Sequence, residues 1–164
     1  MSQLPDPVLI AVESPSAAAS RAVLRAYMGD VASRYLGRRA TNAEIDAALL
    51  ADPSDDLKPP QGILLVATQS RAIVGCAGLR LLPGRLGEVK RVFVEPAARG
   101  HGLGARLMAE LERRACEHGL TRLRLDTRSD LVEARSMYAA LGYEEVPAFS
   151  TGPYSEHWFA KTLT

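Results

Sequence analysis

The most constraining feature of this chain is a run of three apolar, strand-like segments joined by very short connections. The segments "GILLVAT", "AIVGCAGLRLL" and "GEVKRVFVE" fill residues 62–95 and are separated only by "QSR" and "PGRLG". Connections of this length can join only antiparallel neighbours, because a parallel pair needs a much longer crossover. The sequence therefore predicts a three-stranded antiparallel meander in the middle of the chain.

Helical and strand-like patterns flank the meander on both sides. Before it we expect a strand over 7–13, a helix starting at Ser14 and Pro15, and a second helix opened by the capping-box spacing "TNAE" over 41–44. After it we expect a helix ending at Gly119, a strand over 120–127, a helix over 131–143, and closing strands "EEVPAFS" and "EHWFAKTL". A helix crosses over to the fifth strand, which should therefore lie parallel to the fourth.

The predicted fold class is α+β, with a mixed, mostly antiparallel sheet of about seven strands flanked by about four helices. At 164 residues the chain has room for one domain with a sizeable core, and we assign residues 1–164 to it.

Composition excludes several classes of function. Apolar residues make up 47% and charged residues 24%, and 20 Lys plus Arg nearly balance 19 Asp plus Glu. No net field attracts nucleic acid or an anionic membrane, so neither is an expected partner. No segment has the pattern of a secretory signal or a membrane span, which favours a cytoplasmic protein. We expect a monomer or a homodimer. The three histidines lack metal-ligand spacing, so we expect no metal.

A glycine cluster gives the strongest functional signal. In "VFVEPAARGHGLGARLM", residues 92–108, Gly100, Gly102 and Gly104 alternate between a strand-like run and a helix-like run. Glycine is favoured where backbone adopts left-handed dihedrals or closely approaches another group. Exposed N–H groups at a helix N-terminus bind anions without any net basic charge, and phosphates are the expected guests. A tight loop with no ligand is the alternative.

Three phosphate-binding motifs can be compared with this cluster. A P-loop needs a Lys-Ser or Lys-Thr pair after its glycines, and none follows here. A dinucleotide fingerprint is matched by Gly100, Gly102 and Ala105, with Asp126 at the spacing of a ribose-binding carboxylate. Against that reading, an antiparallel meander precedes the glycines and few residues remain after Asp126. The pattern [QR]-x-x-G-x-[GA], filled by Arg99, Gly102 and Gly104, fits best.

This last pattern closely resembles the GNAT superfamily of N-acetyltransferases, and "EVKRVFVEP" and "ARSMYAALGY" strengthen the resemblance. It implies that the loop and helix N-terminus hold the pyrophosphate of acetyl-CoA as cosubstrate. It also implies a sheet splayed between strands four and five, where a freed N–H, that of Val94, polarises the thioester carbonyl. The cofactor-binding residues it implies are Val92, Phe93, Val94, Arg99, Gly100, His101, Gly102, Leu103, Gly104 and Ala105.

The resemblance further implies transfer of the acetyl group to a primary amine by direct attack in a ternary complex. Glu88 is then the first choice for the general base and Asp126 the second, while Tyr138 protonates the departing thiolate. Leu131 stands where many relatives carry an asparagine that contacts the cofactor. A CoA-binding sensor or regulatory module that has lost turnover is the alternative function.

The acceptor, a small-molecule amine or a peptide amine, should lie across the sheet from the cofactor. Aromatic side chains and an acidic loop over 52–60 are candidates for its surroundings. They are Tyr27, Tyr35, Tyr154 and Trp158 as walls, and Asp52, Asp55 and Asp56 as groups that attract a cation.

Overall fold

The structure, a computed structural model, describes residues 6–164 and confirms the α+β prediction. Within these residues seven strands form one sheet in the order β1-β2-β3-β4-β5-β7-β6. The strands are β1 Leu9–Val12, β2 Gly62–Gln69, β3 Ala72–Leu82, β4 Leu86–Val94, β5 Arg122–Thr127, β6 Glu144–Glu145 and β7 His157–Thr162. The helices are α1 Ala18–Leu36, α2 Asn42–Ala51, α3 Leu103–Glu117 and α4 Val132–Ala140, with a short 3-10 turn at Pro96–Ala98.

The sheet confirms the meander and opens where the glycine cluster follows it. Strands β2, β3 and β4 pair antiparallel, and β4 pairs with β5 in parallel. The parallel ladder runs only from Leu86 opposite Arg122 to Glu88 opposite Arg124. Beyond that point β4 and β5 separate. The backbone groups that each of these strands directs toward the other then have no strand partner among the described residues.

A β-bulge in β4 changes which side chains face each side of the sheet. The register between β3 and β4 shifts between Cys76 and Gly78, and Arg91 adopts φ 59° opposite this shift. Before the bulge Val89 faces the core beneath α3. After it Val94 packs against that same core, while Phe93 joins the apolar cluster on the other side of the sheet. A bulge adds one residue to a strand, and so it inverts the alternation.

One of the two predicted helix starts before the meander is confirmed and the other is wrong. The capping box of α2 forms as predicted: the Glu44 N–H donates to Thr41 Oγ1 at 3.2 Å and the Thr41 N–H donates to Glu44 Oε1 at 2.9 Å. The predicted start of α1 at Ser14 is wrong. The Ser14 carbonyl accepts from the Ala17 N–H in a separate turn, and α1 begins at Ala18.

The predicted strand "EEVPAFS" is largely wrong, since only Glu144–Glu145 pairs with β7. Residues 147–156, which we call the closing strap, form an irregular segment that crosses the face of β5. Pro147 and Pro153 lack the N–H that a ladder needs, and Gly152 weakens extended pairing further. The strap is held to the sheet by Phe149, whose ring lies 4.3 Å from the Arg124 guanidinium carbon.

Two apolar clusters hold the layers together, one on each side of the sheet. The larger packs α3 against the sheet through Leu107, Met108 and Leu111, all fully buried, and includes Tyr138 of α4. The smaller packs α1 against the opposite face through Val23 and Leu24. In the described range, 6–164, none of the helices combines the length and the apolar character needed to cross a bilayer.

Candidate active site

Each of the three loop positions requires glycine for a physical reason, and the reasons differ. Gly100 has φ 84° and Gly102, the N-cap residue of α3, has φ 77°, a conformation that costs other residues strain. Gly104 is inside α3, where a Cβ would lie 2.7 Å from the Met137 sulfur. The first two glycines therefore shape the turn, and the third lets α3 approach α4 closely.

The loop leaves a row of backbone donors free. The first hydrogen bond of α3 runs from the Arg106 N–H to the Gly102 carbonyl at 3.1 Å. The N–H groups of residues 100–105 donate to no acceptor within residues 6–164. Free N–H groups at the positive end of a helix dipole form an anion site, so this loop fits the phosphates of a nucleotide cosubstrate.

Arg99 connects the glycine loop to the end of β4 and to α1. Its Nε donates to the Val94 carbonyl at 2.9 Å, and its guanidinium lies 5.9 Å from the Phe93 ring centroid. One guanidinium nitrogen is 3.8 Å from Asp30 on α1. These contacts fasten the glycine loop to the end of β4, so this arginine is already engaged within the protein.

A cavity of about 480 Å³ lies between the separated strands and extends from the glycine loop to the closing strap. Nine of the ten predicted cofactor-binding residues line it, and His101 is exposed outside it. Leu131 and Met137 of the α4 region add apolar surface. The structure thus joins the free N–H groups, the open edge of β4 and the face of β5 in one space.

The backbone of Val94 faces this opening. The Glu95 N–H donates to the Val74 carbonyl on β3, and polar groups of successive residues in a strand point to opposite sides. The N–H and carbonyl of Val94 therefore point away from β3, toward the gap. The hydrogen bond from Arg99 to the Val94 carbonyl agrees with this direction.

Glu88 is not brought into the cavity. One carboxylate oxygen lies 3.0 Å from Arg124 Nε and the other lies 3.2 Å from Lys90 Nζ, with Arg80 at 4.0 Å. Glu88 is absent from the cavity wall. It lies where β4 and β5 are still paired, and neighbouring cations hold its carboxylate away from the gap between the strands. The role of Glu88 as a base stays a prediction, and its ion pairs and its place outside the cavity wall favour a different carboxylate.

Four carboxylates line the cavity, and three of them form ion pairs. Asp126, on β5, is the exception: among residues 6–164 it has no cationic partner, and it accepts a hydrogen bond from Ser150 Oγ at 3.3 Å. The paired residues are Asp30 with Arg34 at 3.4 Å, Asp52 with Arg91 at 3.1 Å, and Glu133 with Arg34 at 3.2 Å.

Arg91 is a site residue that the sequence analysis missed. It is 6% exposed, donates to Ser54 Oγ at 3.0 Å and to the Asp52 carbonyl at 2.7 Å, and lies over the Tyr27 ring. Burial raises the pKa of Asp52, but Arg91, together with Lys90 and Arg80, outweighs burial and holds this pKa below its ordinary value. Arg91 thereby fixes the acidic loop against the cavity. The other acidic residues of that loop, absent from the cavity wall, are Asp55 and Asp56.

Tyr138 lies on α4 at the cavity wall. It is 4% exposed, and its ring packs edge-on against Tyr143 at 5.9 Å and near Phe159 at 6.2 Å. Burial raises the pKa of Tyr138 well above its ordinary value. The sequence argument assumed an ordinary phenol, so this burial makes Tyr138 a weaker acid than expected.

The predicted aromatic walls divide into two groups. Tyr27 and Tyr154 line the cavity. Tyr35 and Trp158 are behind that wall: Tyr35 packs edge-on against Tyr154 at 5.4 Å, and Trp158 Nε1 donates to Ser150 Oγ at 2.9 Å. They contact Tyr154 and Ser150, which line the end of the cavity at the closing strap.

Comparison with known proteins agrees with the fold and the site. A model of the acetyltransferase (GNAT) family matches residues 28–143. An IAA acetyltransferase of Azospirillum brasilense is 36% identical over 125 residues, which are 74% of this chain and 76% of that protein.

Solved structures show the same fold at low identity. An acetyltransferase of the GNAT family from Staphylococcus aureus Mu50 has a TM-score of 0.77 and 16% identity, covering 96% of this chain and all of that one. The PaiA N-acetyltransferase of Thermoplasma acidophilum, solved in complex with coenzyme A, has a TM-score of 0.73 and 15% identity, covering 95% and 99%.

The fold and the site together define an acyltransferase enzyme. The chain belongs to the GNAT family of acetyltransferases.

Proposed function

We propose that this chain, acting as one catalytic domain over residues 1–164, transfers the acetyl group of acetyl-CoA to a primary amine by direct attack in a ternary complex. The observation that carries the proposal is the cavity itself. It connects the free N–H groups of the glycine loop to Asp126, the cavity carboxylate without a cationic partner in the described residues. An anion-binding end and a proton-accepting end in one space suit acyl transfer from a phosphorylated carrier to an amine.

Acetyl-CoA supplies the activated thioester, and the chain supplies its binding groups. The N–H groups of residues 100–105 hold the pyrophosphate. The open edge of β4 offers backbone partners for the pantetheine arm. The N–H of Val94 points into the gap, where it stabilises charge that develops on the carbonyl oxygen, as an oxyanion hole does.

Asp126 serves as the general base in this proposal. A base must reach the amine and must not be held by a cation, and Asp126 meets both conditions while Glu88 meets neither. An alkyl amine with a pKa near 10.4 is mostly protonated at neutral pH, so a carboxylate first attracts the cation and then receives its proton directly or through water. Glu88 instead anchors Arg124 beneath the strap.

Tyr138 acts as a hydrogen-bond donor to the leaving sulfur. Because burial raises its pKa, full transfer of its proton to a thiolate is uphill, while donation of a hydrogen bond remains available. A thiolate is already an adequate leaving group. Tyr138 therefore accelerates the reaction without being essential to it.

The charge pattern also favours a class of acceptor. The cations of the cavity wall are paired with carboxylates, as Arg128 is with Asp130 at 2.9 Å. Asp126 has no cationic partner among the described residues. An amine with a single positive charge neutralises Asp126. The ring surfaces of Tyr27 and Tyr154 then suit an apolar or aromatic body on that amine. We propose an arylalkyl monoamine.

Two experiments test the proposal in sequence. Calorimetric titration with acetyl-CoA should show binding, and NADH should give none; the reverse would refute the cosubstrate. Release of CoA thiol should then be followed with three amines. They are 2-phenylethylamine, phenylalanine, which adds a carboxylate, and putrescine, which has a second cation in place of the ring. We expect the order of kcat/KM to place 2-phenylethylamine first.

Matched variants test the base. Asp126→Asn should lower kcat strongly, while Glu88→Gln should retain acetyl-CoA binding and lose activity only as far as it loosens Arg124. A larger loss of turnover in Glu88→Gln than in Asp126→Asn would refute the assignment of the base. Acetyl-CoA binding without turnover on any amine would favour the sensor function.

A further inference from the structure

A chain of two hydrogen bonds ends on Asp126. The Trp158 Nε1–H donates to Ser150 Oγ at 2.9 Å, and Ser150 Oγ donates to Asp126 Oδ2 at 3.3 Å. An indole nitrogen can only donate, and a serine hydroxyl has one proton. Trp158 uses one of the two lone pairs of Ser150 Oγ, and a carboxylate oxygen accepts, so the serine proton is directed toward Asp126. The direction of the chain therefore follows from the residue types.

The fold positions the three side chains from different elements. Asp126 on β5 stands opposite Trp158 on β7 in an antiparallel pair, and side chains of opposed residues share a face of the sheet. Ser150 arrives from the closing strap and reaches both. The strap is fixed on either side of Ser150, by Phe149 over Arg124 and by Tyr154 packed against a second tyrosine.

We propose that Ser150 is a positioning residue for Asp126, and that Trp158 sets the direction in which Ser150 donates. The role assigned to Asp126 rests on the proposed function. Donation to Oδ2 fixes the plane of the carboxylate and leaves Oδ1, which accepts no hydrogen bond within residues 6–164, for the incoming amine. A directed hydrogen bond of this kind holds a base in productive geometry without touching the substrate.

The single tryptophan makes the hydrogen-bond chain measurable without an acceptor. The protein contains one Trp, so a nitrogen-15 correlation spectrum has one indole N–H signal. Asp126→Asn should move that signal, although Asp126 does not bond the indole, because an amide nitrogen can donate to Ser150 Oγ and compete with the indole for it. In the Ser150→Ala background the same change at Asp126 should move the signal much less, since only the direct effect of the opposed side chain remains. This double-mutant cycle isolates coupling through Ser150.

Two spectral results would overturn the hydrogen-bond chain. One is an indole signal that ignores Asp126→Asn in the otherwise unchanged protein. The other is an equal movement with and without Ser150, since the coupling would then bypass the serine. Neither result depends on the identity of the acceptor or on turnover.

Kinetics test the positioning role. With 2-phenylethylamine as the probe, Ser150→Ala should lower kcat about five- to tenfold, the size expected for one long hydrogen bond to a charged group that water replaces in part. The KM for acetyl-CoA should stay unchanged, and Ser150→Thr, which keeps the hydroxyl, should restore kcat. Thr121→Ala, which removes a hydroxyl at the other end of the β5 region, is the matched control and should match the unmodified protein.

The outcomes separate the two proposals. If Asp126→Asn is as active as the unmodified enzyme, the proposed base fails, and the spectral coupling still decides the hydrogen-bond chain. If Asp126→Asn is inactive and Ser150→Ala keeps full kcat, the positioning role alone is overturned. If the probe amine is not acetylated, the proposed acceptor class fails, and the positioning role falls with it.

Discussion

Replacing Gly102 with glutamate should weaken acetyl-CoA binding by direct repulsion. A Cβ at this position meets no atom of residues 6–164 within 4 Å apart from its chain neighbours, so the side chain extends into open space at the N-terminus of α3. The left-handed φ of 77° adds strain of about 1–2 kcal/mol for any L side chain. The substitution therefore tests the anion site at a modest loss of stability.

The size of the effect follows from Coulomb's law. Two unit charges 4 Å apart interact by about 1 kcal/mol in water, and by more where water is partly excluded. A glutamate facing a pyrophosphate with two negative charges thus opposes binding by about 2 kcal/mol, which is about a 30-fold increase in Kd. The repulsion should shrink at high ionic strength, because salt screens exposed charges.

Calorimetric titration with acetyl-CoA measures this loss, and Gly102→Gln is the matched control. Glutamine has nearly the same shape and carries the same backbone strain without the charge. We expect the Glu variant to bind about 30-fold more weakly than the Gln variant at low salt and to approach it at high salt. Equal affinities of the two variants at low salt would refute the placement of phosphate at this loop.

Three further predictions concern the rest of the site. Tyr138→Phe should lower kcat about tenfold through loss of one hydrogen bond, with acetyl-CoA affinity unchanged, and an unaltered rate would return this tyrosine to the core. The native protein should show one fast-reacting thiol with Ellman's reagent, Cys116, because burial raises the pKa of Cys76 to about 12; two fast thiols would contradict the packing of β3. Gly75→Ala would place a Cβ 2.6 Å from the Phe93 carbonyl oxygen, so urea denaturation should show a loss of about 1–3 kcal/mol, and an unchanged midpoint would contradict this close approach.

The meander, the capping box and the glycine loop were predictable because each depends on neighbours in sequence. Short turns force antiparallel pairing, Thr41 and Glu44 satisfy each other, and Gly102 marks a left-handed residue before a helix. The parallel position of β5 followed from the length of the crossover. These elements confirm that local chemistry and connection length define most of this fold.

The surroundings of the candidate bases could not be read from the sequence. Glu88 lies on the predicted strand, but its pairing with Arg124 depends on a residue 36 positions away. The bulge at Arg91 inverts the alternation of β4, and no periodic pattern marks where an extra residue enters a strand. The contacts of Ser150 in the closing strap could not be predicted either. They form only because β7 places Trp158 opposite Asp126.

The early separation of β4 from β5 has a mechanical consequence. In the part of the chain that the structure describes, the β4–β5 ladder joins strands β1 to β4 to strands β5 to β7 through three residue pairs, so the backbone pairing between the two halves is weakest at the cavity. If the proposed function holds, a cosubstrate arm that bonds to the open edge of β4 supplies the backbone partner missing there. Each catalytic cycle would then complete and release that backbone pairing, so cosubstrate binding would stabilise the sheet itself.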